Sequence, residues 1–339
     1  MENASTASVA WDDGAIAYLD QRLLPHEERY ERARSVDDVV EVIATLAVRG
    51  APAIGAFGAY GVALAKRLHP NPDIFATAVA RIRAARPTAV NLMWAVDRAS
   101  VADDPLEEAH AIAREQLIVD RAIVESASAM FPKNARVLTH CNTGGIATAG
   151  EGTALGAIIA AFKIGKIARV YVDETRPLLQ GARLTTYELA RAGVEHVLLP
   201  DAAAGIAMQR ERIDLVIVGA DRIARNGDTA NKIGTYMLAI AAAHHGIPFY
   251  VAAPRSTFDF SLESGAGIPV EERASEEVTS FAGIRVAPEG TRAYNPAFDV
   301  TPGRLVTAFV TEYGVVRAPY DEAIPDLQTR PNLAALSRA

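Results

Sequence analysis

One cysteine, Cys141, occurs in 339 residues. That count excludes an internal disulfide and fits a reducing compartment. No apolar run reaches membrane-spanning length, and the N-terminus carries no apolar leader. No basic run or stripe is present and the formal net charge is −7, so the electrostatic footprint of a nucleic-acid binder is missing. None of the seven histidines pairs with another at i, i+4, and no second cysteine completes a thiolate site. This argues against structural zinc, and no metal is expected. What these absences leave is a soluble cytoplasmic protein, with neither nucleic acid nor membrane as a partner.

Half of the residues are hydrophobic and 22% are charged, which supplies ample core for two domains. Residues 1 to about 10 read as a loose tail, and Ile16 to Leu24 as strands of a small sheet. From Ser35 the pattern is helical. Ser35-Val36-Asp37-Asp38 resembles a capping box, followed by apolar residues at helical spacing. Further helices are predicted over Pro52–Leu68, Asp73–Ala85, Thr88–Ser100 and Pro105–Phe131. Near Asn134 the pattern changes. Short apolar runs (Arg136–Cys141, Arg169–Asp173, His196–Leu199, Asp214–Asp221, Pro248–Ala253) alternate with helical stretches, which predicts a parallel sheet. A late helix over Leu305–Tyr313, a strand over Val315–Arg317 and a surface-packed tail over 318–339 complete the reading. The fold class is therefore α/β: a mainly helical N-terminal domain with a small sheet, residues 1–132, then a Rossmann-like parallel-sheet domain, residues 133–339.

The most informative segment runs from His140 to Gly156. It places Cys141 at the end of a strand, before five glycines and a helix start. α/β proteins put ligands at such strand ends, and free backbone N–H groups there favour an anion. The bland alternative is a small core hydrophobe. Gly150, Gly152 and Gly156 invite a dinucleotide reading with Asp173 as the ribose acid, but fingerprint glycines should follow the strand directly. A phosphate or sugar cradle fits the longer loop better, and no cofactor is expected. Val218-Gly219-Ala220-Asp221 puts a carboxylate at another strand end, as loop residue or as a second acid/base group. Asn231-Lys232 are expected to open the next helix, with Lys232 solvated or holding a phosphate. Arg49-Gly50-Ala51-Pro52 reads as a helix–helix turn or an anion clamp at a helix start, and Arg86-Pro87-Thr88 has the same form. Asp173–Pro177 and Gln180–Arg183 add polar groups at a third strand end.

Taken together, Arg49–Gly55, Thr139–Gly156, Val172–Thr185, Val218–Thr235, Gly246–Pro254 and Asn295–Pro302 stand in an order that resembles one family. It holds the methylthioribose-1-phosphate isomerases and the alpha, beta and delta subunits of translation initiation factor 2B. The resemblance implies catalytic roles for Cys141 and Asp221. It implies substrate contacts for Arg49, Gly50, Ala51, Arg86, Gln180, Asn231 and Lys232. It also implies a homodimer. The reaction it implies converts 5-methylthioribose 1-phosphate to 5-methylthioribulose 1-phosphate in methionine salvage. Two departures lie near the implied site. The loop reads Thr143-Gly144-Gly145-Ile146 where the isomerases usually have alanine or threonine and then Gly-Ala-Leu, and Arg255 follows Ala253-Pro254 where the family commonly has leucine or a small residue. Other substrates therefore stay open: 5-deoxyribose 1-phosphate, or ribose 1,5-bisphosphate with Arg255 or Arg183 as a second anion site. A regulatory subunit that binds sugar phosphates or nucleotides without turnover is the non-enzymatic alternative; such relatives generally lack the Cys/Asp pair.

Overall fold

A computed structural model describes residues 7–86, 89–331 and 333. The chain divides into two compact units. One is formed by residues up to Arg121 with Thr143–Gly152, the other by Ala122–Asn142 with Thr153–Pro331.

The first unit opens with an antiparallel sheet of β1 (Val9–Asp12), β2 (Ala15–Leu19) and β3 (Tyr30–Ala33). The sequence reading caught only the middle of it. Val9 pairs with Tyr18, so the presumed tail is already a strand by residue 9. Helices α1 (Val36–Ala44), α2 (Ala51–Leu68), α3 (Pro72–Ala84), α4 (Val90–Ser100) and α5 (Pro105–Ser128) follow, the last continuing into the second unit. The capping box at Ser35 and Asp38 forms as expected. Every α2 residue from Ala53 to Ala65 is buried. A helix apolar all round must be enclosed, and Phe57, Leu64, Ile43, Ile82 and Leu92 share one core with it. The proposed start of α4 at Arg86-Pro87-Thr88 lies partly outside the described residues, since Pro87 and Thr88 are not among them. The short helix α6 (Gly145–Thr148) also belongs to this unit.

The second unit is built on a seven-stranded sheet with strand order β16-β15-β10-β7-β4-β5-β6. Its strands are β4 (Ala135–Thr139), β5 (Ile167–Asp173), β6 (His196–Leu199), β7 (Leu215–Val218), β10 (Phe249–Ala252), β15 (Ala308–Thr311) and β16 (Gly314–Val316). All neighbours run parallel except β15 and β16. Intervening helices are α7 (Ala154–Lys163), α8 (Thr186–Arg191), α9 (Ala204–Arg210) and α10 (Thr235–His245). A second sheet joins β11 (Phe258–Asp259), β8 (Arg222–Ala224), β9 (Thr229–Lys232) and β14 (Phe298–Thr301). A helical turn α11 (Glu276–Thr279) leads into the hairpin β12–β13 (Ser280–Phe281, Ile284–Arg285).

Three expectations are corrected here. Leu305–Tyr313 is not a helix. Ala308–Thr311 extends the parallel sheet beside β10, because the run Ala308-Phe309-Val310 is buried throughout, as a central strand requires. The segment after 318 is more than a surface-packed tail, since α12 (Tyr320–Thr329) buries Tyr320, Ile324 and Leu327 in the unit's core. Asn231 and Lys232 end β9 rather than opening α10, which starts at Thr235 after Gly234. No described helix is long and apolar enough to cross a membrane.

Candidate active site

Strands β4 and β7 lie side by side in the large sheet. From β4 the chain proceeds outward to β5 and β6, and from β7 it proceeds the other way to β10 and β15. Loops leaving two such neighbours diverge and open a crevice at the carboxyl ends, the place where open α/β sheets bind ligands. Cys141 stands two residues beyond β4 and Asp221 three beyond β7. The thiol residue is only 8% exposed, whereas Asp221 is exposed and is anchored by its N–H to the carbonyl of Ala230, 2.9 Å away.

The backbone around Cys141 is unusual. Cys141, Thr175 and Leu179 all have left-handed dihedrals, with φ of 61°, 66° and 59°. Conformations of this kind in non-glycine residues persist where surroundings over-determine them, and they gather at functional sites. The segment Gly181–Thr185 is a π-helical turn, another feature frequent at such sites. Gly181 is obligatory there, because a Cβ would lie 1.7 Å from the carbonyl oxygen of Asp173. Asn142 donates from Nδ2 to Thr185 Oγ1 at 3.2 Å and to Glu188 Oε1 at 2.7 Å.

His140 is buried between β5 and the Ile233 segment. Its Nε2 lies 2.8 Å from the carbonyl of Ile233 and its Nδ1 lies 3.0 Å from Asp173 Oδ2. Burial pushes the Asp173 carboxyl up, against the pull of the His140 hydrogen bond. Burial alone would lower His140, but Asp173 beside it outweighs this and raises it. The pair therefore keeps the one proton that lies between Nδ1 and Oδ2. Asp201 joins them, its carboxylate accepting from the N–H groups of Thr175 and Arg176, each at 2.7 Å. One polar atom from each of His140, Asp173 and Asp201 falls within 4.8 Å of the others, a grouping the sequence spacing did not reveal. Asp173 Oδ1 is its one buried atom with no hydrogen-bond partner among the described residues.

Of the expected substrate residues, Gln180 and Lys232 line one recess, together with Pro177, Ile233, Arg273 and Asn295. Gln180 is 5% exposed, and its Oε1 is buried with no partner among the described residues, an acceptor available to a ligand. Lys232 Nζ donates to the carbonyl of Ala297 at 3.0 Å and sits over the Phe298 ring. Asn231 is buried and donates to Thr235 Oγ1 at 3.0 Å.

Arg49, Gly50, Ala51 and Arg86 belong to the first unit. Gly50 caps the N-terminus of α2 with φ of 96°, and a Cβ there would lie 2.2 Å from the carbonyl oxygen of Ala147. Pro52 stands in the first turn of α2, where its lack of an N–H costs no helical hydrogen bond. Sequence reasoning missed Asp120. It is fully buried on α5, and its Oδ2 accepts from Thr148 Oγ1 and from the N–H groups of Glu151 and Gly152 at 2.6, 2.9 and 2.9 Å. A helical-face aspartate at an otherwise apolar position was the available signal. Thr175 was read only as one of the polar groups at a strand end and Thr185 was not singled out, because no local pattern marks a threonine that caps a distant residue.

Residues 47–318 match the initiation factor 2 subunit family. The chain belongs to that family. Within it, a methylthioribose-1-phosphate isomerase of Pelotomaculum thermopropionicum is 51% identical over 91% of this chain and 90% of its own length. A probable bifunctional methylthioribose-1-phosphate isomerase/methylthioribulose-1-phosphate dehydratase of Nocardia farcinica is 54% identical over 93% of this chain, which spans 60% of that longer protein. Among solved structures, the 5-methylthioribose 1-phosphate isomerase of Pyrococcus horikoshii OT3 is 40% identical, covers 96% of both chains and superimposes with a TM-score of 0.89. The helical region followed by a Rossmann-like sheet is thus the architecture of the family.

Proposed function

We propose that this family member is an aldose–ketose isomerase converting 5-methylthioribose 1-phosphate to 5-methylthioribulose 1-phosphate, a step of methionine salvage. The observation that carries the reading is the placement of Cys141 and Asp221 beyond adjacent strands at the switch point of the sheet. Family relatives that bear the isomerase name over nearly their full length support the substrate.

The phosphate on the anomeric carbon blocks ordinary ring opening, so no free aldehyde is at hand. The protein must help to open the ring and then move hydrogen from C2 to C1. Asp221, reached by solvent, serves protons at the ring oxygen and the hydroxyls. Cys141, shielded at the strand end, acts at the carbon that loses hydrogen, as a base or as the wall of a pocket for a hydride shift. C2 is oxidised as C1 is reduced, so the substrate balances its own electrons and no external redox cofactor enters. Gln180, Asn231 and Lys232 bind the sugar phosphate, and the family resemblance implies substrate contacts for Arg49, Gly50, Ala51 and Arg86 as well. The unpartnered Gln180 Oε1 supports that role.

Arg255 is not held ready as a second anion site for a bisphosphate. Its guanidinium is engaged by the carbonyls of Leu327 and Arg330 and lies over the Tyr313 ring, on the side of α12. A cytoplasmic homodimer completes the proposal. On α10, Met237 and Ile240 are exposed at helical spacing, an apolar surface suited to a second copy. A phosphorus NMR time course with methylthioribose 1-phosphate, run beside 5-deoxyribose 1-phosphate, tests the activity. A growing ketose 1-phosphate signal, faster from the methylthio sugar, is the expected result. A ligand that raises Tm with no turnover would instead mark a binding protein.

A further inference from the structure

We propose that Thr175 and Thr185 are positioning residues whose hydroxyls clamp Cys141 in its left-handed conformation; the functional part of this claim rests on the isomerase reading above. Neither threonine is among the residues implied by the family resemblance.

The two hydroxyls grip opposite faces of one residue. Thr175 Oγ1 accepts from the Cys141 N–H at 2.9 Å, and Thr185 Oγ1 donates to the Cys141 carbonyl at 2.6 Å. A hydroxyl has one proton to give. That of Thr175 goes to the Asp173 carbonyl at 3.1 Å, which leaves its oxygen as acceptor for Cys141. That of Thr185 goes to Cys141, which leaves its oxygen to accept from Asn142 Nδ2. Donors and acceptors therefore match with a single arrangement of protons. Both threonines are sealed from solvent, at 0% and 1% exposure, so water cannot substitute for either contact.

The clamp holds something that would not hold itself. A cysteine at φ of 61° occupies a region few non-glycine residues adopt, and it has no Cβ-free backbone to make that cheap. Both clamping residues come from irregular backbone as well. Thr175 is left-handed itself, and Thr185 closes the π-turn. The irregularities thus converge on one residue, the one that carries the thiol. A misplacement of about 1 Å at a reacting group costs on the order of a hundredfold in rate.

The test substitutes each threonine by valine, which keeps shape and removes the hydroxyl, and by serine, which keeps the hydroxyl. Isomerisation is followed by phosphorus NMR, and iodoacetamide alkylation of the chain's single thiol is timed without substrate. Thr185→Val is expected to lower kcat at least tenfold with KM within threefold, and to change the alkylation rate at least threefold. Thr185→Ser should restore both to within threefold of the parent. Should Thr185→Val lose its fold by circular dichroism, Thr175→Val and Thr175→Ser supply the same comparison. Valine variants that match the parent in both kcat and alkylation would overturn the clamp. A parent protein that fails to isomerise sinks the function instead, and the alkylation comparison then decides the clamp alone.

Discussion

His140 and Asp173 share one proton. A carbonyl oxygen only accepts, so His140 Nε2 must carry hydrogen toward Ile233. The contact between Nδ1 and Asp173 Oδ2 then contains one further proton, whichever atom owns it. The pair is neutral overall and buried, and it ties the end of β4 to the end of β5 and to the Asn231–Gly234 segment.

This pairing fixes the sign of a pH effect. In the unfolded chain His140 sheds its proton near its ordinary value of 6.5, whereas in the folded chain the pair keeps it to higher pH. The folded state then binds more protons, so the pair's contribution is full below pH 6.5 and fades as pH rises through the raised folded value. The slope is at most about 1.4 kcal/mol per pH unit. Asp173→Asn can donate to a neutral His140 and keeps the geometry without the extra proton. Urea unfolding between pH 6.5 and 9 should show the parent losing stability relative to Asp173→Asn. Parallel curves would rule out the shared proton.

Cys141→Ser and Asp221→Asn should each lower kcat by about 100- to 10,000-fold, the range of a lost acid/base group, with circular dichroism unchanged. Near-parental turnover in either variant removes that residue from the chemistry.

Gln180→Leu separates binding from folding. The unpartnered Oε1 costs the unliganded protein, so its removal should leave Tm equal or higher. Loss of one hydrogen bond to the sugar phosphate should raise KM about tenfold. A lower Tm with unchanged KM would make Gln180 structural.

Gly50→Ala meets both a left-handed φ and the Ala147 carbonyl. A destabilisation of at least about 2 kcal/mol is expected, seen as a lower urea midpoint at constant m-value. An unchanged midpoint would mean that the α2 start and α6 yield freely.

The sequence made the sheet legible wherever apolar runs were short and sharply bounded, as at Arg169–Asp173 and His196–Leu199. It misled at Ala308–Thr311, because a buried strand and a buried helix segment share the same apolar run and only the partner strand β10 decides between them. Asn231-Lys232 misled for a related reason, since β9 is held by pairing with β14 some 65 residues on. Cys141 and Asp221 were legible because strand ends can be located locally. The proton shared by His140 and Asp173 was not, since nothing within one segment announces a contact 33 residues away.

The divergence of the chain at β4 and β7 also bears on descent. Cys141 and Asp221 hang from loops that depart in opposite directions, yet the contact of His140 with the Ile233 carbonyl fastens the first loop to the segment that follows the second. A change of sugar is therefore inherited most easily through side chains that line the recess, such as Gln180 and Lys232, with both loop backbones kept.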